Sequence, residues 1–443
     1  MRVLLRFTLV LLACAASPSA YAADLLEIYR MAQGADVVYG SARATWAATQ
    51  ERIPQGRSGL LPTVNLSAST QYNDREIQLR SPGSLPDKSQ FNSNAITLSI
   101  SQPIYRRQNI VAYEQAKTQV EQADAILAQA SQDLILRISQ AYFDILLAQD
   151  NVAFAGAQKT AIAEQLQQAK ISFEVGTATI TDTHEAQARY DLAVSQEIAA
   201  KNDLEVKIRT LEQFIGRATP ALSPLGTALK LVTPDPATMD KWAEEARLAN
   251  LQVRAAEAAL TVANKEVERN RGAHHPTLDA FASYSENRTG AGTLGGPGFD
   301  NNTKAIGLQL AIPIYQGGLV NSRVREALAN EERARNDLEN ARRTAELAAR
   351  QTYLGVTNGI AQVKALEAAL VSTQSSLDST RLGREVGVRT QVDVLNAQQQ
   401  LFSARRDLAQ ARYTYLLSSL RLKSAVGRLT EQDVMQVNVL LGR

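Results

Sequence analysis

The sequence has almost no cysteine, since Cys14, near the N-terminus, is the one residue of this type among 443. Residues 1–22 are typical of a secretory signal peptide, because Arg2 and Arg6 precede an apolar run and Ala20-Tyr21-Ala22 is an A-x-A cleavage site. Cleavage after Ala22 would leave a mature chain without cysteine, which excludes disulfides and thiol chemistry. Lipidation of Cys14, which would instead give a lipid-anchored protein, stays open as an alternative.

An excess of charge of either sign is also lacking, with 47 Lys and Arg against 45 Asp and Glu. Loss of Arg2 and Arg6 with the signal peptide leaves 45 basic residues and an even balance. This balance argues against a nucleic-acid partner, which would require a basic surface. Beyond the signal peptide no run of 18 or more apolar residues occurs, so the sequence predicts no transmembrane helix. An exported chain of this kind is periplasmic, secreted or an outer-membrane β-barrel.

Motifs of catalysis, nucleotide binding and metal binding are missing as well. His184, His274 and His275 do not have the spacing of metal ligands, and His184-Glu185 lacks the second histidine of H-E-x-x-H. The Gly-rich segment 290–298 is not followed by Lys and Ser or Thr, as a phosphate-binding loop would be. We therefore predict a protein that is not an enzyme, with no catalytic residues, no metal site and no cofactor.

Proline is absent from residues 104–219 and 314–443, and these lengths permit very long helices. In the first of these runs, apolar or Ala residues recur every three or four positions from Ala116 to Val152, which is the seam of a coiled coil. Gly176 and Gly387 interrupt the two runs, and glycine is typical of helix ends. The sequence thus predicts two long antiparallel helical hairpins, at 105–215 and 319–426. We expect Thr181 or Asp182 to cap the second helix of the first hairpin.

An internal repeat extends over the chain. The tripeptide Pro-Ile-Tyr occurs at 103–105 and again at 313–315, and Asp182 corresponds to Asp393 at an offset of 211. A tandem duplication accounts for both, with one short amphipathic helix opening each half, at 25–57 and 237–271. The predicted organisation is a first repeat at 23–215, a linker at 216–236, a second repeat at 237–428 and a C-terminal tail at 429–443.

Four short segments alternate apolar and polar residues, and they form two predicted strand hairpins, at 63–103 and 277–313. About ten residues with this alternation are typical of an outer-membrane β-strand. The third segment is the weakest, because Phe281 falls on its polar register. Each hairpin ends at a strand–helix corner, where a proline without an N–H would suit the change of direction. These corners are Pro103 with Tyr105, and Pro313 with Tyr315.

Four strands cannot close a barrel, because the backbone groups at the two edges would meet lipid without partners. The chain is therefore expected to oligomerise, and three copies would supply twelve strands, an even number as in bacterial barrels. A periplasmic coiled-coil structural or adaptor protein is the alternative from another class. It would require the four segments to form a soluble sheet.

The duplicated corners, Val175-Gly176-Thr177 with Thr181-Asp182, and the stretch RTQVDVLN at 389–396 resemble the TolC family of outer-membrane efflux and type I secretion channels. This resemblance implies an α+β membrane protein in the Gram-negative outer membrane. It also implies a homotrimer whose twelve-stranded transmembrane β-barrel contacts lipid and is continuous with a long periplasmic α-helical coiled-coil barrel. Such a protein is a passive export duct, opened when a periplasmic adaptor (a membrane fusion protein) and an inner-membrane transporter of the ABC or RND type engage. If Cys14 is lipidated, the alternative is a lipid-anchored outer membrane factor of a drug-efflux pump.

The resemblance also assigns roles to residues at the ends of the coils. Asp393 and Asn396 would line the gate constriction, and Asn396 stands where the family often has a second Asp, so we expect weaker block by divalent cations. Arg389 would tether the gate to Thr181 and Asp182 of the neighbouring coil. Arg384 replaces a tyrosine that often joins this tether. The residues expected to contact the adaptor are Val175, Gly176, Thr177, Val386, Gly387 and Val388.

Overall fold

The computed structural model describes residues 22–78, 80, 87–226, 229–291 and 297–441. Cys14 and all of the predicted signal peptide except Ala22 lie outside these residues. The described part of the chain contains ten α-helices and four β-strands. In chain order they are α1 (Leu25–Ala35), α2 (Val37–Gln50), α3 (Arg52–Ser58), β1 (Thr63–Ile77), β2 (Asp87–Tyr105), α4 (Arg107–Glu174), α5 (Ile180–Ile215), α6 (Met239–Ala249), α7 (Leu251–Arg271), β3 (Thr277–Thr289), β4 (Phe299–Ala311), α8 (Leu319–Glu385), α9 (Gln391–Ala425) and α10 (Glu431–Asn438).

The chain divides into two compact units. One comprises Thr45–Ala125 and Arg254–Ala341, and it contains the whole sheet. The other comprises Ile126–Val253, Arg342–Arg443 and the described residues up to Ala44, and it contains the turns between the long helices. Across the described ranges, no helix combines the length and apolar composition that crossing a membrane requires.

The sheet is antiparallel throughout, in the order β1-β2-β3-β4. Its register aligns one apolar row across all four strands, formed by Val64, Ile100, Ala282 and Ile306. Because side chains alternate along a strand, the rows two residues away lie on the same face. They add Leu66, Leu98 and Tyr284 on one side, where Lys304 ends the row, and Ala280 and Leu308 on the other, where Gln102 is the polar member. One face of the sheet is therefore mainly apolar, and it lies open in the single chain, with Ile306 89% exposed.

The opposite face is polar, with rows such as Asn65, Ser99 and Ser283. Phe281 also lies on this face, directly across from Gly307 of β4. A Cβ at Gly307 would stand 2.9 Å from the Phe281 ring, so glycine makes room for the aromatic side chain. An aromatic residue covering a glycine on a neighbouring strand stabilises a sheet. This pairing explains why Phe281 interrupts the alternation of β3.

The two strand–helix corners differ. β2 continues to Tyr105, past the predicted end at 103, with an irregular register between Pro103 and Tyr105. The next residue, Arg106, donates hydrogen bonds of 2.8 and 2.6 Å to the Asp279 carboxylate of β3. β4 instead ends at Ala311, before Pro313, and α8 begins only after Gly317 and Gly318, whose φ values are +61° and +80°. Tyr315 of the second corner is 86% exposed, against 38% for Tyr105, whose hydroxyl lies 3.2 Å from the His275 Nδ1, so the two copies of the motif have different surroundings.

The short helices are more divided than the sequence predicts. Residues 25–57 contain three helices. Asp36 separates α1 from α2, and its Oδ1 accepts from the Tyr39 N–H at 2.7 Å, whereas Glu51, before α3, makes no side-chain cap. Asp36 is buried and pairs with Arg137 at 2.9 Å. Residues 237–271 contain two, because Asn250 caps α7 through the N–H groups of Gln252 and Val253. Polar caps therefore set breaks that apolar periodicity does not reveal.

The predicted tail contains a helix, α10, that packs on α1. Arg30 and Glu431 form an ion pair at 2.9 Å, and the Leu25 N–H donates to the Asn438 side chain at 3.0 Å. In the same unit, Tyr142 and Phe143 of α4 lie in the core, and the Phe143 ring stacks on Tyr413 of α9 with centroids 5.9 Å apart. Three of the chain's few aromatic side chains thus lie together where α4 and α9 meet.

Candidate functional site

Two turns with nearly the same backbone geometry connect the long helices. Between α4 and α5, Gly176 has a φ of +76° and the Thr177 N–H donates to the Ser172 carbonyl at 2.8 Å. Between α8 and α9, Gly387 has a φ of +78° and the Val388 N–H donates to the Gly383 carbonyl at 2.9 Å. Both are glycine-terminated helix ends, in which left-handed backbone satisfies the last carbonyl groups. The two sequence repeats thus have the same turn structure at corresponding positions.

The helices that follow both turns begin with the same capping box. The Thr179 side chain caps α5 and Thr390 caps α9, while Asp182 and Asp393 accept from the N–H and hydroxyl of these threonines at 2.8 to 2.9 Å. The expectation that Thr181 or Asp182 caps α5 is wrong. Thr179 is the cap because it alone has the extended backbone that precedes the first turn, and Asp182 completes the box from the third position.

The capping boxes set the charge state of both acids. Hydrogen bonds from the Thr179 N–H and hydroxyl lower the pKa of Asp182. The pKa of Asp393 is lowered by the same two groups of Thr390, with a further contribution from the positive charge of Arg389. Both carboxylates are therefore ionised at neutral pH. A lowered pKa means that the capping interactions persist above the ordinary carboxyl pKa and are lost only as the pH falls through the lowered value.

Two arginines connect the first coil, α4 with α5, to the second coil, α8 with α9. Arg384, at the end of α8, donates to the Gln168 side chain of α4 at 2.9 Å and to Gln391 at 2.7 Å. Arg189 of α5 donates to the Asn396 side chain of α9 at 3.0 Å. In both bridges the acceptor on the other coil is a neutral amide. The two coils of one chain are thus joined by charge-assisted hydrogen bonds that need no carboxylate.

A cleft of about 480 Å³ opens between the turns. It is lined on one side by Thr177 and Asp182 and on the other by Arg384, Thr390 and Gln391. Two residues predicted for the tether, Asp182 and Arg384, therefore come to one place. Arg389 packs against Gly383, and a Cβ at position 383 would stand only 2.8 Å from the Arg389 side chain. Among the hydrogen bonds and ion pairs of the described residues, none joins Arg389 to Thr181 or Asp182, and this tether stays a prediction.

Apolar side chains project from both turns. Val175, Val386 and Val388 are 67%, 68% and 77% exposed. Exposed apolar groups beside polar ones often mark a surface that binds another protein. The residues predicted to contact an adaptor are therefore accessible in the single chain.

The coils pack against each other behind the turns. Ile162, Ala193 and Leu395 form a small core with Tyr190 between the two coils, and a second core, within the first coil, contains Leu166, Ala169 and Ala186. Between them the Gln165 side chain donates to that of Gln398 at 2.6 Å, and both residues are buried.

Sequence reasoning missed Arg189, Gln168 and Gln391. Arg189 and its partner Asn396 are 207 positions apart, so no local pattern connects them. No group of three or more His, Cys, Asp or Glu residues in the described ranges could hold a metal ion.

The sheet and the paired helical hairpins define the fold of an outer-membrane channel. The crystal structure of the CmeC outer membrane channel of Campylobacter jejuni matches the chain with a TM-score of 0.78 at 18% sequence identity. The match covers 94% of this chain and 90% of that one.

The sequence relates the chain to one family. A family model described as outer membrane efflux protein matches residues 40–217 and 242–428. The chain is 35% identical over 428 residues to outer membrane protein TolC of Vibrio cholerae, covering 95% of this chain and 94% of that protein. It is 31% identical over 418 residues to alkaline protease secretion protein AprF of Pseudomonas aeruginosa, covering 94% and 86%.

The chain therefore belongs to the outer membrane efflux protein family, and the resemblance to TolC is confirmed. It is a protein of the Gram-negative outer membrane, in a family of channels rather than enzymes.

Proposed function

We propose that three copies of the chain form a passive export duct of a tripartite efflux or type I secretion system. The observation that carries the proposal is the sheet, which has one exposed apolar face and two open edges, β1 and β4. Lipid covers the apolar face, and pairing of β4 with β1 of the next copy removes both edges, since unpaired backbone groups are not tolerated in hydrocarbon. Twelve strands then close one barrel, and the polar face lines its lumen.

A soluble sheet is the alternative, and the exposure of the sheet weighs against it. The apolar row Val64, Ile100, Ala282 and Ile306 has no helix or second sheet over it in the described residues. A soluble protein rarely leaves so continuous an apolar surface uncovered.

Fractionation tests both readings. The duct predicts trimers in the outer-membrane fraction that dissociate on heating, whereas recovery as a soluble periplasmic protein would refute it. Cys14→Ser distinguishes the lipid-anchored alternative, since a signal peptide cleaved after Ala22 predicts unchanged processing and trimers. Loss of processing would favour the lipid anchor.

The turns between the long helices are the proposed gate. Their exposed valines would contact a periplasmic adaptor, and an inner-membrane transporter of the ABC or RND type would supply the energy that the duct lacks. In the trimer, Arg389 would tether to Thr181 and Asp182 of the neighbouring coil, beside the Arg384 and Arg189 bridges within each chain. Exposed polar contacts contribute about 0–1 kcal/mol each, so a partner's binding energy is enough to open them. The relative named alkaline protease secretion protein favours protein secretion as one use of the duct.

Asp393 would place one carboxylate per chain at the constriction. We expect Asp393→Asn to reduce block of single channels by divalent cations, because the substitution removes the charge while its amide oxygen can still accept in the capping box. Alanine is a poorer choice, since it would also remove the cap. The measurement is the concentration of divalent cation that halves the conductance of purified trimers in planar bilayers. Asp407→Asn removes a carboxylate farther along α9, where Asp407 pairs with the adjacent Arg406, and serves as control. An unchanged block in Asp393→Asn would contradict the assignment.

A further inference from the structure

The charge at the proposed constriction depends on Arg189, a residue to which the resemblance assigns no role. Its Nη2 lies 3.0 Å from the Asn396 Oδ1 and 3.3 Å from the Glu185 Oε1. The Arg189 side chain is only 25% exposed, so this guanidinium is held in place rather than spread through solvent. Asn396 itself is exposed on α9. The positive charge of Arg189 therefore lies beside the exposed Asn396 side chain.

Asn396 and Asp393 lie on one face of α9, because residues three apart on a helix are neighbours. Asp393 also has the positive charge of Arg389 near it. Within this group of side chains, two guanidiniums, of Arg189 and Arg389, accompany two carboxylates, of Asp393 and Glu185. The face that carries Asp393 is thus balanced in charge.

The direction of the Asn396 amide adds to this balance. Its oxygen accepts the bond from Arg189, so its NH₂ group, with two donors, is directed away from that contact. Amide donors and guanidinium groups bind anions such as carboxylate and phosphate. An acidic side chain at 396 would instead pair with Arg189 and leave the face with a net negative charge.

We infer that Arg189, acting through Asn396, is a specificity-determining residue that makes the inner mouth of the duct permeable to anions as well as cations. The inference rests on the proposed function, because it needs the Asp393 face of α9 to line the passage. Through Arg189 the duct would also pass negatively charged solutes, for example organic anions or acidic segments of an exported polypeptide. Charges that line a narrow passage control which ions enter it.

The test is the reversal potential of single trimers in planar bilayers under a KCl gradient. The wild-type channel is expected to have a cation-to-anion permeability ratio near one, and Arg189→Gln is expected to raise this ratio roughly twofold or more by removing three positive charges per trimer. Lys201→Gln is the matched control, because Lys201 lies on the same helix and pairs with Glu197, four residues before it, as Arg189 does with Glu185. It should leave the ratio unchanged.

Asn396→Asp provides a second, independent variant. It adds three carboxylates at the same place without removing Arg189, and it should raise both the ratio and the block by divalent cations. Conducting channels whose ratio is the same in wild type, Arg189→Gln and Asn396→Asp would overturn the inference alone. Wild-type protein that is recovered as a soluble periplasmic protein and forms no trimers would overturn the proposed function with it. An equal rise in Lys201→Gln would assign the effect to net charge and would also overturn the role of Arg189.

Discussion

Replacing Ile100 by Arg is expected to prevent trimers from accumulating in the outer membrane. Ile100 lies in the apolar row of the sheet, between Val64 and Ala282 of the neighbouring strands. If this face contacts lipid, a guanidinium near the bilayer midplane destabilises the barrel by about 2–4 kcal/mol per chain. Each trimer would contain three such substitutions. The measurement is the amount of heat-modifiable trimer in purified outer membranes, together with the urea concentration at which the barrel unfolds.

Ser99→Arg is the matched control for this experiment. Ser99 precedes Ile100 in β2, so its side chain lies on the opposite, polar face, between Asn65 and Ser283. In the proposed barrel this face lines the water-filled lumen, where an arginine keeps its hydration and its long side chain has room. We expect wild-type amounts of trimer. Equal amounts of trimer from Ile100→Arg and Ser99→Arg would show that the apolar face does not contact lipid.

Much of the sheet could be predicted from the alternation of apolar and polar residues alone. Successive side chains of a strand point to opposite faces, so a strand with one apolar face has an apolar residue at every second position. What could not be predicted was the reason why Phe281 interrupts the alternation of β3. Phe281 is opposite Gly307, and only the register of β3 against β4 brings the two together. The end of β2 was likewise misplaced by two residues, because the strand continues through Pro103 along its pairing with β3.

The features of the proposed gate divide in the same way into local and non-local ones. The absence of proline and the positions of Gly176 and Gly387 predict the two turns, and the structure has positive φ at both glycines. The caps have a local signal too, since Thr179 and Asp182 have the spacing of a capping box, but the cap is Thr179 rather than the predicted Thr181 or Asp182. The bridges between the coils had no local signal. Arg384 and Gln168 are 216 positions apart, and only the packing of the two coils makes them partners.

Introducing a tryptophan at Gly387 is expected to abolish export while trimers still assemble. Gly387 has a φ of +78° in the turn between α8 and α9, and no atom lies within 4 Å of the position where its Cβ would stand. The substitution therefore meets no obstacle within the chain, apart from a backbone strain of about 1–2 kcal/mol for a left-handed residue that is not glycine. A large side chain would instead project from the turn, beside the exposed Val386 and Val388, into the space that a docking adaptor needs.

Gly387→Asn is the control that separates the effect of backbone strain at position 387 from the effect of a bulky side chain there. Asparagine tolerates left-handed backbone better than other residues and has a small side chain, so export should remain near the wild-type level. Export is measured as drug resistance and protein secretion in a strain that lacks the gene, and trimers are measured in its outer membrane. Normal export by Gly387→Trp would mean that this turn does not meet the partner. Loss of export in both variants, with trimers intact, would assign the effect to the backbone. Only loss in Gly387→Trp with retention in Gly387→Asn places a partner against the turn, because the two variants differ in side-chain bulk at a position that the chain itself leaves open.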